Sequence, residues 1–198
     1  MSKLTPLSIQ GAWLFESPSH VDERGFFREW FKESVLREQL GREFHVAQTN
    51  LSRSKKGVVR GIHFSTAANG QAKWVTCANG RLWDVVVDIR PNSPTFKRWC
   101  AVELKAEEGK SVFISEGLGH AFVALEDDTV VTYYVSEKYN ADREKGINPF
   151  DKTLNINWPQ TELKLSEKDK NAISLEQAKS EKLLPTYKEC QDFINSLN

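Results

Sequence analysis

The stretch from residue 72 to residue 135 limits the fold more than any other part of the chain. It holds six short runs rich in apolar and β-branched residues: Ala72–Ala78, Arg81–Ile89, Arg98–Leu104, Ser111–Ser115, His120–Leu125 and Thr129–Val135. Turn-forming residues separate them, at Asn79-Gly80, Pro91-Asn92-Ser93-Pro94, Glu108-Gly109, Glu116-Gly117 and Asp127-Asp128. Strands this close together leave no room for the helical crossovers of a parallel sheet, so an antiparallel sandwich or barrel is expected. Asn79-Gly80 carries a hairpin signal, because both residue types tolerate positive φ. Along Arg81–Ile89, Trp83, Val85, Val87 and Ile89 share one face, and Asp84 and Asp88 share the other. Those carboxylates either line a cavity or sit in solvent, and alternation alone does not choose.

Upstream, Ser8–Leu14 reads as a first strand and Phe26–Phe31 as an aromatic one, entered through the charged turn Asp22-Glu23-Arg24-Gly25. Glu33–Leu40 is expected to be a helix, with Gly41 at its C-cap. The segment Gln48–Phe64, QTNLSRSKKGVVRGIHF, opens on polar side chains and passes through a Ser-, Lys- and Arg-rich loop. It turns at Gly57 and enters a short strand, Val58–Phe64. Beyond Tyr139 the chain becomes polar, with Trp158-Pro159 in its midst. Ser166 is placed to cap one helix, and Thr186 a last one whose Tyr187, Phe193, Ile194 and Leu197 form an apolar stripe. The 198 residues suit one domain with a helical extension around 166–198.

Lys plus Arg and Asp plus Glu both number 27, so no global field recruits nucleic acid or an anionic membrane, and a bound anion would need a local cluster of cations. No apolar run approaches the ~20 residues of a membrane span, and the first residues lack a signal-peptide core. The three cysteines, Cys77, Cys100 and Cys190, have no metal-like spacing and read as reduced thiols of a cytoplasmic protein.

The four histidines, His20, His45, His63 and His120, form no H-x-H pair, and none has a glutamate at ligand spacing, so no metal site is expected. Phosphate-binding glycine loops and the G-x-S-x-G elbow are absent from the sequence as well. What remains is a set of acid–base groups and cations near strand ends: Arg24, Glu29, Arg60, His63, Lys73, His120, Tyr133 and Asp169. Such groups suit proton abstraction beside a carbonyl, with histidine as base, tyrosine as weak acid and lysine at an enolate oxygen. By residue type alone His63 reads first as a hydrogen-bonded core histidine and Arg60 as an ion-pair partner.

A resemblance selects among these readings. DERGFFREWF from Asp22, QTNLSRSKKGVVRGIHF from Gln48, GQAKWV from Gly70, WDVVVDIRPNSPTFKRW from Trp83, EGLGHAFVAL from Glu116, and NINWP followed by LSEKD occur in that order over residues 5–170. Together they resemble the dTDP-4-dehydrorhamnose 3,5-epimerase family. The resemblance implies an all-β, cupin-like jelly roll that works as a homodimer without metal or other cofactor. It implies His63 as base, Asp169 as the carboxylate orienting it, Tyr133 as proton donor and Lys73 near the enolate oxygen. Substrate contacts are implied for Arg24, Glu29, Gln48, Asn50, Arg60, His120, Glu144 and Lys168, with Tyr139 stacked on the base of a nucleotide-diphosphate sugar. The nucleotide is expected to be dTDP, with CDP as the alternative.

RGIHFS, EGLGHAF and Leu51 depart from the family's commoner RGLHYQ, EGFAHGF and histidine. They resemble a subgroup that inverts a single carbon, and C5 is preferred on that basis. The alternatives are a full 3,5-epimerase yielding dTDP-4-dehydro-L-rhamnose, a CDP-sugar 5-epimerase, a cupin ketoisomerase and a non-catalytic sugar-nucleotide binding protein. Strict alternation puts Arg60 and His63 on opposite faces. Either a bulge at Gly61 restores their parity, or Arg60 precedes the regular strand.

Overall fold

Two antiparallel sheets face each other across an apolar seam in the computed structural model, which describes residues 2–159 and 162–197. The chain opens with β1 (Lys3–Pro6) and β2 (Ala12–Glu16), then forms a separate two-stranded arm, β3 (His20–Asp22) and β4 (Gly25–Phe27). Helix α1 (Glu33–Leu40) precedes β5 (Gln48–Ser54), β6 (Val59–Ser65), β7 (Lys73–Asn79) and β8 (Arg81–Val87). Next come β9 (Trp99–Lys105), β10 (Lys110–Ile114), β11 (Gly119–Ala124), β12 (Thr129–Val135) and β13 (Glu144–Gly146). Three short helices close the chain: α2 (Glu167–Lys170), α3 (Leu175–Ser180) and α4 (Tyr187–Asn195). One sheet runs β1-β2-β10-β7-β12-β5 and the other β13-β6-β11-β8-β9, the jelly-roll sandwich expected.

Alternation along the strands builds three layers. Val75, Cys77 and Val131 of the six-stranded sheet meet Leu82, Val86, Leu104 and Phe122 of the five-stranded sheet in the seam. The outer face of the six-stranded sheet carries Phe15, Trp74 and Phe113, covered by Leu36 of α1 and by Phe44. The outer face of the five-stranded sheet carries Ile62, Phe64, Val85 and Val87, covered by Leu154, Leu175, Ala178 and Leu184. Each such side chain removed from water contributes roughly 1.5–3 kcal/mol. The C-terminal extension therefore covers a sheet whose two faces are both apolar. Asn198, its expected end, lies outside the described residues.

Several expected boundaries shift. Residues 8–11 form a turn between β1 and β2, closed by Leu7 N–H to the Ala12 carbonyl at 2.9 Å, so Ser8–Leu14 is not one strand. The aromatic strand ends at Phe27, because Trp30 and Phe31 turn inward against Tyr134 and Trp74. The polar start of the segment Gln48–Phe64, with part of its expected loop, is the edge strand β5, paired with β12 in continuous register from Gln48↔Val135 to Ser54↔Thr129. Asn79-Gly80 makes no hairpin: only Gly80 takes positive φ (73°), and the turn carries the chain from one sheet to the other. Helix α1 and its left-handed Gly41 cap match expectation, as do the Ser166 cap and the Thr186–Glu189 capping box. In α4 the fully buried residue is Cys190, while Tyr187, Phe193 and Ile194 are half-buried and Leu197 is exposed.

Candidate active site

His63 owes its place to an irregularity in β6. His63 pairs with His120 and Arg60 with Phe122, so two residues of β6, Gly61 and Ile62, oppose the single Ala121 of β11. The extra residue resets the alternation, and Arg60 and His63 border one continuous hollow despite their odd spacing. Gly61 permits this close approach: its φ is 113°, and a Cβ there would lie 2.5 Å from the His120 carbonyl oxygen.

Helix α2 then supplies the partner of His63. Ser166 caps α2 by accepting the Asp169 N–H, which aims the Asp169 carboxylate at β6. The His63 imidazole Nε2 lies 2.8 Å from Asp169 Oδ1. A carboxylate only accepts, so Nε2 carries the proton and the other ring nitrogen is left to act as base. Burial alone would raise the Asp169 pKa. The hydrogen bond and charge of His63, the Ser166 hydroxyl and the Gly61 N–H outweigh it and hold the carboxyl below its ordinary range.

In front of His63 lies a cavity of about 290 Å³, lined by Gln48, Asn50, Gln71, Lys73, Tyr133, Tyr139, Glu144, Lys145 and Lys168. Tyr133 stands on β12 and His63 on β6, so a weak acid and a base come from opposite sheets. Lys73 is only 9% exposed, and burial pushes its ammonium pKa down while Glu144 and Asp84 oppose that shift. Burial also raises the Glu144 carboxyl, against the pull of Lys73, His63 and Lys168. The Tyr133 phenol is raised by burial, with Arg60 working the other way. Gln48 orders the mouth of the cavity by donating to Asn50 Oδ1 at 2.7 Å and accepting the Tyr139 N–H at 3.1 Å.

Most of the expected site thus assembles. Arg60 borders an adjoining hollow shared with His63 and Lys168, and its Nε donates to Ser54. His120 is buried in the seam and pairs with Asp84 at 2.7 Å. Arg24 and Glu29 are not brought there: Arg24 sits on the exposed arm paired with Asp22, and Glu29 pairs with Lys32 at 3.2 Å. The sequence departures do not line the cavity either. Leu51 points outward and is 69% exposed, Phe64 packs under the C-terminal extension, Leu118 belongs to the seam and Gly119 packs against Ile62. Ser65 borders a small adjoining hollow that shares Gln71 and Glu144 with the cavity. Gln71 and Lys145 went unrecognised as lining residues, although Gln71 stands two positions before Lys73 in GQAKWV. Among the described residues, no group of three or more His, Cys, Asp or Glu side chains is arranged to hold a metal ion.

Comparison with known proteins bears on this arrangement. A family model described as dTDP-4-dehydrorhamnose 3,5-epimerase matches residues 6–177. A dTDP-4-dehydrorhamnose 3,5-epimerase of Streptomyces griseus is 47% identical over 195 residues, covering 98% of this chain and 97% of that one. The structure of the Mycobacterium tuberculosis rmlC epimerase superposes with a TM-score of 0.96 at 41% identity, over 99% of this chain and 100% of the other. ChmJ, described as a 3'-monoepimerase from Streptomyces bikiniensis and solved with dTDP-quinovose, gives 0.95 at 43% identity over 98% of both chains. With a family match spanning most of its length and the expected His63–Asp169 pair in place, the chain belongs to the dTDP-4-dehydrorhamnose 3,5-epimerase family.

Proposed function

We propose that the chain is a cofactor-independent isomerase that epimerises a dTDP-linked 4-keto-6-deoxyhexose beside its C4 ketone, in deoxysugar biosynthesis. The ketone acidifies the hydrogens on C3 and C5. His63, held by Asp169, removes one of them; the electron pair of the broken C–H bond moves into an enolate whose oxygen Lys73 faces. Tyr133 returns a proton from the opposite side, which inverts the carbon. The observation that carries this reading is the placement of His63 and Tyr133 on opposite sheets with one cavity between them. General acid–base steps of this kind are each worth about 10²–10⁴-fold.

Gln48, Asn50, Arg60, Glu144 and Lys168 would hold the nucleotide diphosphate and sugar, and Tyr139 would stack on the base. The dTDP-quinovose bound to ChmJ favours dTDP over CDP. The single-carbon relative named above acts at C3, and the cavity-lining residues supply no ground for the earlier preference for C5.

The chain works as one domain and as a homodimer. Arg24, Glu29 and the apolar arm residues Val21 (77% exposed) and Phe27 (68% exposed) lie outside the cavity of their own chain. A second copy would cover the arm and receive its charged residues. Free Cys77, Cys100 and Cys190 suit the cytoplasm, and among the described residues no helix is long and apolar enough to cross a membrane.

The test is NMR of a dTDP-4-keto-6-deoxyhexose incubated with the protein in D₂O. Deuterium at C3, at C5 or at both, with the carbonyl still at C4, supports the epimerase and identifies the carbons. A migrated carbonyl, or no uptake at all, refutes it.

A further inference from the structure

Two carboxylate–imidazole pairs face the space between the sheets, and the proposed chemistry uses only one of them. The second is Asp84 on β8 with His120 on β11, at 2.7 Å. Asp84 shares its side of β8 with the seam residues Leu82 and Val86, and His120 shares its side of β11 with Leu118 and Phe122. From the facing sheet, Lys73 shares its side of β7 with Val75 and Cys77, and Tyr133 packs against the same seam. The pair therefore lies behind the cavity, on the side from which Lys73 enters it.

Asp84 does not look like a carboxylate that serves the scaffold. Asp88, four residues on, is fully buried and satisfied by Arg90, Ser93 and Thr95. Asp84 is 1% exposed, yet its Oδ2 has no hydrogen-bond partner. An unpaired buried carboxylate oxygen is costly unless its charge has a use nearby. The nearby use is the Lys73 ammonium, which the charge of Asp84 steadies against desolvation.

We propose that Asp84 is a positioning residue for the epimerisation: through Oδ1 it fixes the ring of His120, and it supplies the buried negative charge behind Lys73. Because a carboxylate only accepts, His120 Nε2 must carry a proton, which sets its tautomer. The charged and titratable groups around Lys73 are Asp84 on β8, Glu144 and Lys145 on β13, His63 on β6, Tyr133 on β12, Tyr139 before β13 and Lys168 on α2, while His120 on β11 reaches it only through Asp84. Its neighbour on β10, Ile114, is apolar. Two carboxylates thus steady the ammonium, one inside the cavity and one behind it.

This inference rests on the epimerase reading, and the test separates the two. Wild type, Asp84→Asn, Lys73→Gln and the double variant are compared by deuterium uptake into a dTDP-4-keto-6-deoxyhexose in D₂O, from neutral to alkaline pH. Asparagine keeps the shape and an oxygen for His120 but removes the charge. Asp84→Asn should melt cooperatively and bind dTDP with wild-type affinity, while exchange slows by about tenfold or more, as for loss of a charged contact. The alkaline limb of its rate should move to lower pH, because Lys73 loses an attracting charge and gives up its proton sooner. In the Lys73→Gln background the same change should cost much less. Unchanged rate and limb in Asp84→Asn, or an equal loss in both backgrounds, would overturn the proposal. Combined loss of melting cooperativity and dTDP affinity would make Asp84 a scaffold residue and overturn it too. Absence of uptake in the wild type would instead refute the epimerase reading itself.

Discussion

Asp169→Asn isolates what the carboxylate does for His63. The wild-type contact is 2.8 Å long and joins an ionised, buried Asp169 to a His63 side chain that is 38% exposed, so the bond is charge-assisted and shielded from water on the Asp169 side only. Such bonds contribute about 1.5–3 kcal/mol. At about 1.36 kcal/mol per tenfold, removing that support when His63 takes up a proton should slow turnover by roughly 10- to 150-fold. Asparagine fits the same space and can still accept the Nε2 proton, so affinity for dTDP should be unchanged and the loss should fall on kcat.

The assay is the initial rate of deuterium uptake at the epimerised carbon, with dTDP binding followed by calorimetry. A rate within about twofold of wild type would mean that the pair contributes under half a kcal/mol, and the orienting role would be wrong. The same residue has a stability signature. Its folded pKa lies below the ordinary aspartate range, so it stabilises the fold above the unfolded value, and that contribution disappears as pH falls through the folded one. Melting temperature should therefore drop more steeply in acid for wild type than for Asp169→Asn.

Tyr133→Phe should keep deuterium exchange by His63 but lose inversion, since the proton then returns from the side it left; equal loss of both would remove Tyr133 as the opposing donor. Arg60→Ala should weaken dTDP about tenfold or more by calorimetry, the equivalent of one charged hydrogen bond at about 1.5–3 kcal/mol; wild-type affinity would refute its place at the pyrophosphate. Phe27→Asp, on the exposed arm, should convert a dimer to a monomer in sedimentation and lower turnover with it, whereas an unaltered dimer would detach the arm from the interface.

Strands that carry their own apolar alternation were legible: Thr129–Val135 matches β12 at both ends, and the other core strands shift by a residue or two. Strand β5 was not legible. Its residues QTNLSRS are mostly polar, and only its pairing with β12 makes it a strand. Asn79-Gly80 misled for a related reason. A dipeptide specifies a tight reversal, whereas the choice of sheet depends on where the apolar faces of β7 and β8 find partners.

The sequence by itself determined the antiparallel class and the helix caps at Gly41, Ser166 and Thr186, and its motif order, by resemblance, singled out His63, Lys73, Tyr133 and Asp169 as the expected catalytic set. These are local properties: side-chain alternation, turn chemistry and residue type act within a few positions. Only the tertiary structure decided that Arg60 and His63 share a hollow, that Asp84 turns inward to His120, and that Leu51 and Phe64 stay out of the cavity. His63 and Asp169 are 106 positions apart, and their 2.8 Å contact exists because a bulge in one strand and the capped start of a late helix converge. Convergence of that kind depends on packing between distant elements, which no short-range pattern encodes.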